Sequence, residues 1–138
     1  MMKSLSNIAG KRPAMIYDNL YNAFVSMFPE CADELNTYAK SAEAEETDGM
    51  HIMFSFVVIP FIPDLLNNDE SDKLKRAFEY FERMASSDSA DVTEVLEFTV
   101  IENLMSNGQT VYDEAKQYMG TNMIECCKRA EQFLQVGE

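Results

Sequence analysis

The 138-residue chain is long enough for one domain with one core, burying about two-thirds of the surface its unfolded form would expose. Hydrophobic residues at 46% and aromatics at 11%, with only 5 Gly and 4 Pro, exclude a disordered chain and favour helix. With 11 Lys and Arg against 24 Asp and Glu the formal charge is -13, a field that repels phosphate backbones and anionic headgroups and so argues against nucleic acid and membrane surfaces as partners.

Residues 1–12 lack the apolar segment of about 7–15 residues that marks a signal peptide, and read as a flexible lead to a single helical domain over 13–136. Pro13 suits the first turn of a helix, and Tyr17, Leu20, Tyr21, Phe24, Met27 and Phe28 follow helical spacing until Pro29 breaks it. A second helix carries the thinner stripe Cys31, Leu35, Tyr38, Ala39 and Ala42, which fades into an acidic loop over 43–49.

The apolar run that follows, from Met50 to Leu66, has no second strand-like run to pair with, so it reads as a helix kinked at Pro60. Its greasiest part, Ile52 to Ile62, is shorter than the roughly 20 residues of a membrane span. His51, the one histidine, stands at its entrance as a cap or half-exposed packing residue rather than a ligand.

After a turn capped by Asp69 or Ser71, Leu74, Ala77, Phe78, Phe81, Met84 and Ala85 mark the inner face of a fourth helix. Ser89 to Asn107 is apolar on two sides, with Val92, Val95, Leu96, Thr99 and Val100 on one face and Phe98, Ile101 and Met105 in a second stripe. Such a helix needs neighbours on both sides and is therefore central. Gly108 ends it, a short helix runs to Gly120 in a left-handed stop, and a last helix, capped at Asn122 to Glu125, presents Met123, Cys127, Ala130, Phe133 and Leu134. The expected fold is all-α, about seven helices in antiparallel hairpins; the hairpin from Lys73 to Met105 resembles one unit of a HEAT-type array.

Catalytic signatures are missing. No phosphate-binding glycine loop, G-x-S-x-G or C-x-x-C is present, and the E-x-x-E pairs Glu79/Glu82 and Glu94/Glu97 lack the histidine that helical metal sites use. No catalytic residue, metal ligand or cofactor is assigned. Three cysteines, with Cys126 and Cys127 adjacent and pointing roughly 100° apart on a helix, argue against a disulfide and for a reduced, cytoplasmic setting. Cys127 reads as core and Cys126 as near an edge. The 10 methionines read as core filler, with an adaptable groove of Met50, Met53, Met105, Met119 and Met123 as the alternative.

One residue breaks the pattern of the central helix. On an ideal wheel Glu102 falls between Val95 and Phe98, inside the apolar surface, where a carboxylate must find donors or take up a proton. It reads as a buried tie between helices or, alternatively, a group in a cleft.

Between Lys40 and Lys73, and between Arg83 and Lys116, there is no cation, and Glu43, Glu45, Glu46, Asp48, Asp88, Asp91, Glu94 and Glu97 lie in those gaps. These acids form either a solvated surface or a docking face for a basic protein. At VLEFTVIENL (Val95 to Leu104) and YMGTNM (Tyr118 to Met123), the chain resembles a family of short, acidic, uncharacterised bacterial helical proteins, from about Tyr17 onward. The resemblance implies an all-helical fold, a bacterial cytoplasmic setting and no known catalytic residues. By size and charge alone the chain is also similar to immunity proteins that neutralise basic toxin domains. The expected function is thus a non-enzymatic module for a basic partner, the alternative a small-molecule binder or unusual enzyme with a pocket near Tyr80, Tyr112, Tyr118 and Glu102.

Overall fold

A computed structural model of the chain describes residues 15–137, with side chains as far as Gln132. The expected lead over 1–12 and the helix start at Pro13 lie outside the described residues. Seven helices and no strand occur among those described. Helix α1 (Leu20–Ser26) is entered through a 3-10 turn at Tyr17–Asn19, and α2 (Ala32–Ala42) through another at Pro29–Cys31. Phe28 lies beyond α1, at φ -126 and ψ 59, because the ring of Pro29 disfavours helical geometry in the residue before it. Its side chain still reaches the core, fully buried.

Helix α3 is continuous from Met50–Asn67, and it is neither two pieces nor a regular helix. Its middle, Phe54–Val58, is a π-helix, in which the N–H of Ile59 bonds the carbonyl of Phe54 five residues back. Pro60 follows at once. A proline ring presses on the carbonyl four residues earlier and donates no hydrogen bond, and a widened π turn relieves both conflicts without ending the helix. By length and composition α3 could cross a membrane, but Phe54, Val57, Val58, Phe61 and Ile62 are fully buried against other helices.

Helix α4 (Ser71–Ala85) buries Leu74, Ala77, Phe78, Phe81 and Met84 as its spacing predicts, and Tyr80 as well. Neither expected cap holds: Glu70 stands at the N-cap without a side-chain capping bond, Ser71 is already helical, and Asp69 takes a left-handed φ of 53. Helix α5 spans 90–106 as Ala90–Val95, a second π stretch at Leu96–Ile101, and Glu102–Ser106. The Ser89 hydroxyl accepts from the Val92 N–H at its start. This helix is central, packing against α3, α4, α6 (Gln109–Lys116) and α7 (Thr121–Gly137) and burying Val92, Val95, Leu96, Val100, Ile101 and Leu104.

One continuous core runs from Leu20 to Cys127. Phe24 is its aromatic hub, with ring centroids 5.2 Å from Phe28, 5.6 Å from Tyr80 and 5.8 Å from Phe81. At its margin, Arg76 fastens α4 to the α1–α2 junction, donating to the Met27 carbonyl at 2.6 Å and to Glu30 at 2.6 Å, above the Phe28 ring. This guanidinium holds the Glu30 carboxyl below its ordinary value.

The start of α7 corrects two expectations. Its cap comes from α4, whose Glu82 carboxylate accepts from the Asn122 N–H at 3.0 Å, the Asn122 side-chain amide at 2.9 Å and the Met123 N–H at 2.9 Å. Gly120 is not in a left-handed conformation; a Cβ there would stand 2.6 Å from Glu82 Cδ and Oε1. Glycine at this position makes room for the carboxylate that caps the next helix.

Candidate functional site

The first acidic group lies between α2 and α3. Glu43 ends α2 with a left-handed φ of 55, and a 3-10 turn at Glu46–Asp48 carries the chain to Gly49. Here Glu45 and Asp48 form a reciprocal capping box, the Asp48 carboxylate accepting from the Glu45 N–H at 2.8 Å. Glu46 accepts from the Asn22 side chain at 3.0 Å, tying the loop to α1. All four carboxylates are exposed.

The second group opens α5. Asp88, Asp91 and Glu94 are exposed, whereas Glu97 is half-buried and ion-paired with Arg129 of α7 at 2.8 Å. Among the described residues no hydrogen bond or ion pair joins the two groups directly. What links their neighbourhoods is His51, in the first turn of α3, whose Nδ1 meets the Thr99 hydroxyl inside the π stretch of α5 at 2.5 Å. This exposed imidazole and the almost fully buried threonine place the acidic loop beside α5, roughly 12 Å along its axis from Asp91.

Glu102 is not buried as the helical wheel predicts. It is half-exposed and lines a surface cleft of 180 Å³ with Glu97, Phe98, Arg129 and Ala130. The reason lies in the π stretch just before it, which inserts one residue into the turn and rotates everything beyond by roughly 100° relative to an uninterrupted helix. The expected stripe of Phe98 and Ile101 is split as well: Phe98, one turn beyond exposed Glu94, has its ring 53% exposed, while the widened turn carries Ile101 into the core. Together with Ile16, Ile52 and Phe56, Phe98 is one of the exposed large apolar side chains of the described residues.

Cys126 is a further correction. It is as buried as Cys127, beneath Arg129, whose Nη2 lies 3.2 Å from its sulfur. Burial, followed by the neighbouring Glu97 carboxylate, pushes its thiol up to about 11. Burial also raises Cys127. Both are free thiols whose surroundings disfavour the reactive thiolate.

The tyrosines proposed for a pocket do not converge. Tyr80 donates to the Leu20 carbonyl at 2.9 Å within the core, while Tyr112 donates to Glu131 at 2.7 Å, tying α6 to α7. Tyr118 packs on Phe78 and lines a separate open cleft beside Gly120, away from Glu102. Met50, Met53 and Met123 are buried, with Met105 and Met119 packed partly against the same core, so these methionines fill the interior rather than line a groove. Among the described residues no group of three or more His, Cys, Asp or Glu is placed to hold a metal ion. Among the described residues the arrangement offers exposed charge and an apolar notch at Phe98; the hydroxyl that His51 touches, that of Thr99, is almost fully buried.

A family profile described as "Domain of unknown function (DUF7674)" matches residues 21–135, from the second residue of α1 to two residues short of the end of α7. The chain belongs to the DUF7674 family. This accords with the resemblance to an uncharacterised family carried by Val95 to Leu104 and Tyr118 to Met123, both inside the matched region. Comparison with curated proteins and with solved structures finds no significant match. On this DUF7674 domain the exposed carboxylates and the notch at Phe98 are the surface features that the described residues offer a partner.

Proposed function

We propose that this DUF7674 chain is a non-enzymatic, acidic interaction module of the bacterial cytoplasm that captures a basic protein, with immunity-type neutralisation of a basic toxin or nuclease as its most specific form. One observation carries the reading. Lys73, Arg76, Lys116, Lys128 and Arg129 each pair with a carboxylate, while Glu43, Asp88, Asp91 and Glu94 are exposed and have no ion-pair partner among the described residues. No ion pair among the described residues offsets these four carboxylates, and a predominantly negative field of this kind accelerates encounter with a basic surface and fixes its orientation.

The eight acids then divide by role. Glu45, Glu46, Asp48 and Glu97 also hold the loop or α7 in place, so replacing them disturbs structure as well as charge. Glu43, Asp88, Asp91 and Glu94 are the clean test. Changing these four to Gln or Asn and capturing basic proteins from cell lysate should weaken association strongly at low salt and little at high salt. An unchanged set of captured proteins at low salt would refute the proposal.

A further inference from the structure

We infer that the cleft at Phe98 is an anchor pocket for an apolar side chain carried on a basic, amphipathic segment of a partner protein. The inference rests on the interaction reading above and names the contact that converts electrostatic encounter into a bound state. Its first support is the exposed aromatic ring. Phe98 is 53% exposed in a surface notch of 180 Å³, a volume suited to one aliphatic side chain, with Ala130 as the small opposite wall. Phe98 lies one turn beyond exposed Glu94 and within the π stretch Leu96–Ile101, which carries Ile101 into the core and leaves the ring outside, with Glu102 lining the same notch. π turns within α-helices are frequent at functional sites.

Charge selects the occupant. Glu102 lines the notch with no ion-pair partner among the described residues, and exposed Glu94 stands one turn before Phe98, about 6 Å along the axis. Glu97 is the third carboxylate, held by the mostly exposed Arg129. A segment presenting Leu, Ile or Met with Lys or Arg a turn to either side would place its apolar group on Phe98 and its cations against Glu94 and Glu102. An acidic or uncharged segment would have no such complement, and a second copy of this acidic chain would bring like charges together.

The 138-residue chain is titrated calorimetrically with two synthetic peptides, one with Leu and Lys at amphipathic helical spacing, the other with every Leu replaced by Gln at the same charge. The Leu peptide should bind about tenfold tighter or better. Phe98→Ala, which removes an exposed ring, and Ala130→Trp, which fills the notch, should each abolish that advantage and leave the Gln peptide unaffected. An equal affinity for the two peptides, or an advantage that survives both substitutions, overturns the anchor pocket. If both peptides bind equally and the exchange of Glu43, Asp88, Asp91 and Glu94 removes that binding, the electrostatic reading stands and only the anchor falls. If neither peptide binds, both fall. Self-association in sedimentation that Phe98→Ala abolishes would make a second copy the occupant and overturn the inference as well.

Discussion

Removing the Glu82 carboxylate should uncap a helix that lies 40 residues further along the chain. Glu82→Ala deletes the acceptor for the Asn122 and Met123 amides at the start of α7, the 17-residue C-terminal helix. Loss of an N-cap costs about 1–2 kcal/mol, and loss of a negative charge at a helix N-terminus about 0.3–1 kcal/mol more. The sum is about 2 kcal/mol, a fall in Tm of about 7 °C for a chain of this length. Gly120→Ala tests the cause, since its Cβ would meet the same carboxylate at 2.6 Å. In the native background it should destabilise by about 1 kcal/mol by pushing the cap away, less the few tenths gained from a stiffer unfolded chain. With Glu82→Ala already present, the clash is gone and Gly120→Ala should become neutral or stabilising. Urea unfolding followed by far-UV circular dichroism on the four chains gives the coupling directly. An equal loss from Gly120→Ala in both backgrounds would refute the reasoning, because the glycine would then serve its own backbone rather than the carboxylate.

The aromatic hub, the Tyr80 hydroxyl and the α6–α7 tie offer further tests. Phe24→Ala, which empties the contact with Phe28, Phe54, Phe61, Tyr80 and Phe81, should cost about 3–5 kcal/mol, a large share of the stability of a single domain, read from the urea midpoint. Tyr80→Phe loses one buried hydrogen bond and should cost about 1 kcal/mol at neutral pH. Burial pushes the Tyr80 phenol up to about 12 from 10.0, so its stabilisation is complete below 10.0 and is lost as pH rises toward 12; the alkaline loss of stability should be smaller in Tyr80→Phe. Glu131 moves the other way. The Tyr112 hydroxyl and then the Lys116 ammonium hold its carboxyl below 4.5, so its contribution is present above 4.5 and fades as pH falls through the lowered value. Glu131→Gln should therefore be less stable than the native chain at neutral pH by only a few tenths of a kcal/mol, the pair being over a third exposed, and the gap should close in acid.

Much of the interior was legible from spacing alone. Leu74, Ala77, Phe78, Phe81 and Met84 recur at intervals that only a helix gathers on one face, and all five are buried on α4. Two apolar sides on Ser89 to Asn107 imply neighbours on two sides, and α5 has them in α3, α4, α6 and α7. The acid-rich gaps between cations were likewise visible, because charge needs no folding to be counted.

The candidate site was harder to read. A helical wheel assumes one constant angle per residue, and the π stretch of α5 breaks that assumption between Val95 and Glu102, turning Glu102 into a surface cleft and parting Ile101 from Phe98. Cys126 was expected near an edge, and it is covered by Arg129 from one turn further along its own helix.

Local hydrophobic rhythm thus determined, without any structure, that this chain folds into helices, which face of each turns inward and that the fifth is central, since burial of apolar area depends mainly on which residues share a face. Tertiary packing alone decided which carboxylate caps which helix and which acids stay unpaired. Those outcomes depend on groups brought together from distant parts of the chain, as Glu82 is to Asn122 and His51 to Thr99, and no spacing rule along a sequence carries that information.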